Sequence, residues 1–144
     1  MSDGTALQNK FHRWMKELGI YCCRFYDARS MGRPDAPSQP ADFWIWIKAT
    51  KKLIFVECKD YEWPPLPFTA FTPSQYKAAI ASEQDGILYI ALVELRNKTY
   101  ASLMSNMIAF TKGVKRKSWP EQFFKQSCFE INKKEDLLEF LNEL

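Results

Sequence analysis

Two carboxylates and an ammonium stand at spacings that bring them together in this chain. Asp42 opens the apolar run Phe43-Trp44-Ile45-Trp46-Ile47. A polar break at Lys48–Lys52 follows, and then Leu53-Ile54-Phe55-Val56-Glu57-Cys58-Lys59. Both runs have strand length and are rich in β-branched and aromatic residues, and such runs around a tight turn signal a hairpin. Folding it about Ala49 and Thr50 sets Asp42 opposite Glu57, to within one residue of register. Strand side chains alternate between faces, so Glu57 and Lys59 share one face and Cys58 takes the other. Two carboxylates on an apolar sheet are costly unless a divalent cation lies between them. The chemistry this group suits is metal-dependent phosphodiester hydrolysis. Asp42 and Glu57 would hold Mg²⁺ or Mn²⁺ through hard oxygens, with help from the Cys58 carbonyl and waters, and Lys59 would meet the phosphate or orient the water. A bare Glu-x-Lys is expected about once by chance in this composition, so its context carries the weight. The plainer alternative is a solvated hairpin face on which Glu57 and Lys59 form an exposed ion pair of little value.

The elements that must position these residues alternate between helix and strand. Leu7, Phe11, Trp14, Met15 and Leu18 recur at helical spacing over Ala6–Leu18, and Gly19 is a good stop. Ile20–Tyr26 reads as a strand, and Asp27–Ala41, with three prolines, as a loop long enough to be functional. After the hairpin, Tyr61–Phe71 holds Pro64, Pro65 and Pro67 and is irregular. Thr72-Pro73 is a cap followed by proline at the first helical position, which opens a helix to about Glu83. Asp85-Gly86 turns the chain into Ile87–Leu95, a buried strand. Beyond it we expect a helix over Ser102–Lys112, a short one over Pro120–Gln126, a short strand over Cys128–Ile131, and an amphipathic helix over Asn132–Leu144. Asn132 would cap that last helix, with Glu135 completing a capping box. The fold class is therefore α/β, a mixed central β-sheet flanked by helices, with residues 1–144 forming one domain.

Composition removes other chemistries. A hydrophobic fraction of 47% with 15% aromatic residues belongs to a folded globule. His12 is the only histidine, so neither a histidine-metal nuclease nor a nucleophile–histidine triad is supported. Cys22, Cys23, Cys58 and Cys128 form no Cys-x-x-Cys pair and read as reduced residues. No apolar run reaches membrane-span length and Met1-Ser2-Asp3-Gly4 is unlike a signal peptide, so a cytoplasmic location is the default.

The spaced positions Pro40-Ala41-Asp42 and Glu57-Cys58-Lys59 resemble the PD-(D/E)XK nuclease superfamily. Within it the chain is most similar to the Holliday junction resolvases, archaeal and RecU-type. Gly4-x-x-x-Gln8 stands where those resolvases usually have Gly-x-x-x-Glu. Arg29-Ser30 lies where they place a basic residue and a serine near the scissile phosphate. Phe71-Thr72-Pro73-Ser74-Gln75 opens a helix where RecU-type proteins carry His-Gln or a lone Gln. The resemblance spans about residues 4 to 95. It implies a restriction-endonuclease-like fold and Asp42, Glu57, Lys59 and Gln75 as catalytic residues, Gln75 bonding the attacking water or the phosphate. It also implies a four-way DNA junction as substrate and a homodimer with two active sites. Two departures stand out. Gln8 replaces the helix carboxylate, which would lower the charge of any second metal site, and Tyr61–Phe71 is long and rich in proline.

Charge placement suits a polyanionic partner better than the net charge of +3 would suggest. Lys10, Arg13 and Lys16 space themselves along the first helix, and Arg24, Arg29 and Arg33 bracket the loop before Asp42. Lys112, Lys115, Arg116 and Lys117 add a basic run. Arg29, Ser30, Lys115, Arg116 and Lys117 are the candidate DNA contacts; ordinary solvated charge is the alternative for the basic run. Trp63, Phe68 and Phe71 are placed to stack on unpaired bases, to pack their own loop, or to meet a second subunit. Two other functions stay open: a PD-(D/E)XK endonuclease acting on duplex or flap DNA, and a non-catalytic DNA-binding module of the same fold.

Overall fold

The expected hairpin lies inside a six-stranded sheet in the computed structural model, which describes residues 5–25 and 39–144. Helix α1 (Thr5–Glu17) buries Leu7, Phe11 and Met15, the apolar stripe read from the sequence. Gly19, at φ +71°, turns the chain out of that helix into strand β1 (Tyr21–Arg24). Strands β2 (Phe43–Ile47) and β3 (Lys52–Tyr61) then pair antiparallel, from Phe43↔Val56 to Ile47↔Lys52. Lys48–Lys51 is left as the turn, centred on Ala49 and Thr50 as expected, with Lys51 at φ 55°.

The Pro-rich stretch is shorter and more ordered than its composition suggests. β3 runs on to Tyr61, β4 (Leu66–Pro67) is a two-residue strand, and a 3₁₀ turn (Phe68–Ala70) leads to helix α2 (Pro73–Gln84). Strand β5 (Leu88–Leu95) follows, and then β6 (Lys98–Leu103), which the sequence reading did not identify. Arg96 and Asn97, both at positive φ (51° and 66°), make the tight turn between them. That turn needs left-handed backbone at both positions, usually signalled by glycine, and glycine is absent here. The expected helix over Ser102–Lys112 therefore begins later, as α3 (Met104–Thr111).

The remaining elements are β7 (Ser118–Trp119), α4 (Glu121–Ser127), β8 (Phe129–Ile131) and α5 (Lys134–Asn142). Asp136, not Glu135, closes the start of α5: its Oδ2 accepts the N–H groups of Asn132 (2.9 Å) and Lys133 (3.1 Å).

The sheet order is β1-β2-β3-β5-β6-β8, and only β3 and β5 run parallel, joined by the crossover through α2. One face packs against α1 and α5, with Phe11, Leu137 and Leu141 against Phe43, Val56, Cys58 and Leu92. The other packs against α2, α3 and α4, with Ala79, Met107 and Phe124 among the residues buried alongside Ala91 and Val93. Among the described residues no helix is long and apolar enough to cross a membrane. The four cysteines are unpaired, Cys58 buried and Cys23 exposed.

Trp119 ties the Pro-rich stretch to this second layer. It is fully buried, its Nε1 donates to the Met107 carbonyl at 3.0 Å, and its ring lies 4.7 Å from that of Phe68 and 5.7 Å from that of Phe71. The pairs Leu66↔Trp119 and Pro67↔Ser118 join β4 to β7. Trp119→Ala should cost about 3–5 kcal/mol of stability, read by urea denaturation, through the cavity it leaves.

Candidate active site

The backbone ladder continues one residue beyond β2. Asp42 N–H donates to the Val56 carbonyl at 3.1 Å, which sets Asp42 opposite Glu57. Asp42 Oδ2 in turn accepts the Cys58 N–H at 2.9 Å. Pro40 and Ala41 fix the approach: Tyr89 donates its hydroxyl to the Pro40 carbonyl at 2.6 Å, and Ala41 is buried. Glu57, at 3% exposure, is the one charged residue buried among those described. Its Oε2 receives two donors, Lys59 Nζ at 3.3 Å and Gln75 Nε2 at 3.0 Å.

Gln75 is held by the start of α2. Its N–H donates to Thr72 Oγ1 at 3.2 Å while its Oε1 accepts the Thr72 N–H at 2.9 Å, a reciprocal capping box. With the amide oxygen committed to the cap, the amide nitrogen is left to face Glu57. Lys59 is steadied by the Phe71 ring, 5.3 Å from its ammonium.

Burial, and secondarily the Asp42 charge, push the Glu57 carboxyl up to about 8, while Lys59 pulls the other way. Asp42 is also raised by burial, against the pull of the Cys58 N–H and Lys59. The two carboxyls lie within hydrogen-bonding reach of each other, so Glu57 is the member that keeps a proton at neutral pH. Such a pair holds more latent negative charge than the protein compensates. No cluster of three or more His, Cys, Asp or Glu able to hold a metal occurs among the described residues. Two hard-oxygen side chains nevertheless suit Mg²⁺, which keeps several waters and takes one or two carboxylates together with phosphate oxygens. The donor set fits that ion, or Mn²⁺, rather than a closed nitrogen-and-sulfur site.

The other candidates are placed as follows. Lys115, Arg116 and Lys117 are exposed, in the segment between α3 and β7, and make no ion pair among the described residues. That segment lies beside the Pro-rich stretch, because the Lys117 carbonyl accepts the Phe68 N–H at 2.9 Å. Gln8 is half-buried on α1, whose apolar stripe packs the opposite sheet face, and it has no hydrogen bond to Asp42 or Glu57. Arg29 and Ser30, with Gly4 and Arg33, lie outside the described residues. Of the loop aromatics, Phe68 and Phe71 pack on Trp119, whereas Trp63 is 58% exposed and carries the Arg96 guanidinium 5.0 Å from its ring. Two residues named in the sequence for other reasons, Arg24 as a cation bracketing the loop before Asp42 and Phe71 as a loop aromatic, prove to touch the site itself. Phe71 backs Lys59, and Arg24 lowers the Asp42 pKa from the end of the neighbouring strand, where it pairs with Phe43.

The backbone arrangement has a counterpart among solved structures. Hjc of Archaeoglobus fulgidus, a Holliday junction resolvase from an archaeal hyperthermophile, matches over 85% of this chain and 92% of its own, with a TM-score of 0.57 and 12% sequence identity. The chain shares that protein's fold, a mixed central sheet flanked by helices. No protein-family profile matches the chain, and no curated protein matches it in sequence.

A carboxyl whose pKa rises on folding stabilises the fold while it stays protonated. That contribution is complete below the ordinary value of 4.5 and is lost as the pH climbs through about 8. The cation-free protein should therefore lose stability between pH 5 and 9 in chemical denaturation. Glu57→Gln should flatten that slope, and a slope left unchanged would mean Glu57 is ionised throughout.

Proposed function

We propose that the protein is a divalent-metal-dependent DNA endonuclease, cutting branched DNA of the four-way junction type as a homodimer. One observation carries the reading: a buried Glu57 beside a half-buried Asp42 meets Lys59 and Gln75 on one face of a nuclease-fold sheet. An ion pair on a solvated surface, the plainer alternative, would not bury Glu57 or raise its carboxyl to about 8. Support for DNA comes from the basic run 112–117, which follows α3 in the same layer as α2 and has no ion pair among the described residues, and support for the junction from the likeness to the Hjc fold and the sequence resemblance.

Asp42 and Glu57 would hold the ion. When bound, Mg²⁺ or Mn²⁺ supplies a Lewis acid that makes hydroxide available near neutral pH and offsets charge on the phosphate. The protein's own groups do the rest. Glu57 gives up its proton as the site fills, and Gln75 Nε2 keeps the deprotonated carboxylate oriented. Asp42 is held in place by the Cys58 N–H. Lys59, on the Phe71 ring, offers its ammonium to the phosphate as negative charge grows in the transition state. Gln75 would exchange its Glu57 contact for the attacking water or the phosphate.

A synthetic four-way junction, a linear duplex and a flap, each incubated with the protein and Mg²⁺, decide the substrate. The junction should be cut fastest; preferential cutting of duplex or flap would move the protein to another endonuclease of this fold. Asp42→Ala should abolish cleavage and leave binding intact or tighter, since it removes repulsion with phosphate. Lys59→Ala should slow cleavage by about 10²-fold or more. Cleavage near the wild-type rate by Asp42→Ala would sink the assignment.

If Lys115, Arg116 and Lys117 bind the DNA backbone, affinity should fall log-linearly with salt. Neutralising all three should shrink that slope by about 0.9 for each phosphate they had neutralised. A slope that does not change would return the cluster to solvated surface.

A further inference from the structure

A groove of about 420 Å³ opens beside the site, lined by Phe68, Thr69, Phe71, Pro73, Tyr76 and Thr111. Its size falls among pockets that hold small flat ligands. Several of its polar atoms are already spent. The Tyr76 hydroxyl donates to the Phe68 carbonyl, and Thr111 Oγ1 donates to the Ile108 carbonyl at 2.6 Å. Phe71 is itself buried, so what the groove offers a visitor is mainly the half-buried rings of Phe68 and Tyr76 and the exposed Pro73.

Its surroundings are cationic on two sides. Phe71, one of its walls, lies 5.3 Å from the Lys59 ammonium, and Tyr76 follows Gln75, which touches Glu57. Thr111, another wall, runs directly into Lys112 and the exposed basic run, whose Lys117 carbonyl is bonded to the Phe68 N–H. The walls of the groove thus connect Lys59 at one end with that run at the other.

We infer that the groove takes an unpaired nucleobase next to the scissile phosphate. This rests on the reading of the protein as a DNA nuclease and specifies what that site recognises. The argument is one of complementary chemistry. A nucleotide is a flat π-surface between two phosphates, and here an aromatic slot lies between two sources of positive charge. Stacking without committed hydrogen-bond partners accepts any base, because every base has a π-face. The slot therefore selects for a base free of its partner, not for its identity. A continuous duplex keeps its bases stacked and offers none, whereas a branch point or single-stranded end does.

The test places the fluorescent base 2-aminopurine, one position at a time, on either side of the branch point or gap in a junction or gapped substrate. Binding is measured without divalent metal, so it does not depend on catalysis. One position should show quenching on binding, and an abasic sugar there should weaken binding by about fivefold or more. Thr69→Trp, which fills the groove from an exposed position, should remove the quenching and the abasic effect while DNA still binds through its backbone. Fluorescence and affinity that are indifferent to position in the wild-type protein would overturn the proposal, whatever the cleavage assay gives. So would a Thr69→Trp protein that changes its oligomeric state and not its base stacking, since the groove would then belong to a second copy of the chain. Cleavage failing while the quenching persists would instead overturn the nuclease reading and leave the base slot standing.

Discussion

The burial of Glu57 beside Asp42 is the constraint on which the rest of the site turns. A carboxylate at 3% exposure, facing a second acid, is tolerated only when its lone pairs are met and its charge is offset. Each neighbour answers part of that demand. Lys59 supplies charge, Gln75 an amide donor, and the Cys58 N–H occupies the other acid. The demand is left incompletely met, which is why the Glu57 carboxyl holds its proton to about 8. A fold selected for stability alone would place an apolar residue there, as it does at Val56 and Cys58 on the other face.

The two faces of the sheet divide the work accordingly. Towards α1 and α5 the hairpin presents Phe43, Ile45, Ile54, Val56 and Cys58, an unbroken apolar layer that anchors the register. A one-residue slip would drive Glu57 and Lys59 into that layer, so the register that packs the core is the register that assembles the site. Stability and chemistry are set by the same pairing.

That coupling explains how much was legible in the sequence. The hairpin, its turn, the facing acids and the helix opened by Thr72-Pro73 were readable because period-two patterning and cap chemistry are local signals. Gln75 was singled out by resemblance, and its contact with Glu57 follows from a cap that the sequence does spell out. What escaped depended on distant partners or on atypical local chemistry. Strand β6 hid behind an Arg96-Asn97 turn that uses positive φ without glycine. The order of the Pro-rich stretch depends on Trp119, more than fifty residues after β3 begins, and the support of Lys59 by Phe71 appears only once that packing is in place. Asp136 displaced Glu135 at the start of α5 because the helix begins at Lys134, later than the expected Asn132 cap allows.

The cap of α2 has one more effect. The same Gln75 side chain closes the helix through its oxygen and holds Glu57 through its nitrogen, so the two bonds share one side-chain conformation. Helix ends fray more readily than helix middles, and local opening of this first turn would release Glu57 from its donor without disturbing the sheet. Conversely, whatever draws the Gln75 amide away from Glu57 weakens the helix start by the worth of a capping bond. The site is thereby coupled to an end-fraying equilibrium, and occupancy at the carboxylates should be felt as altered amide-exchange protection in the first turn of α2.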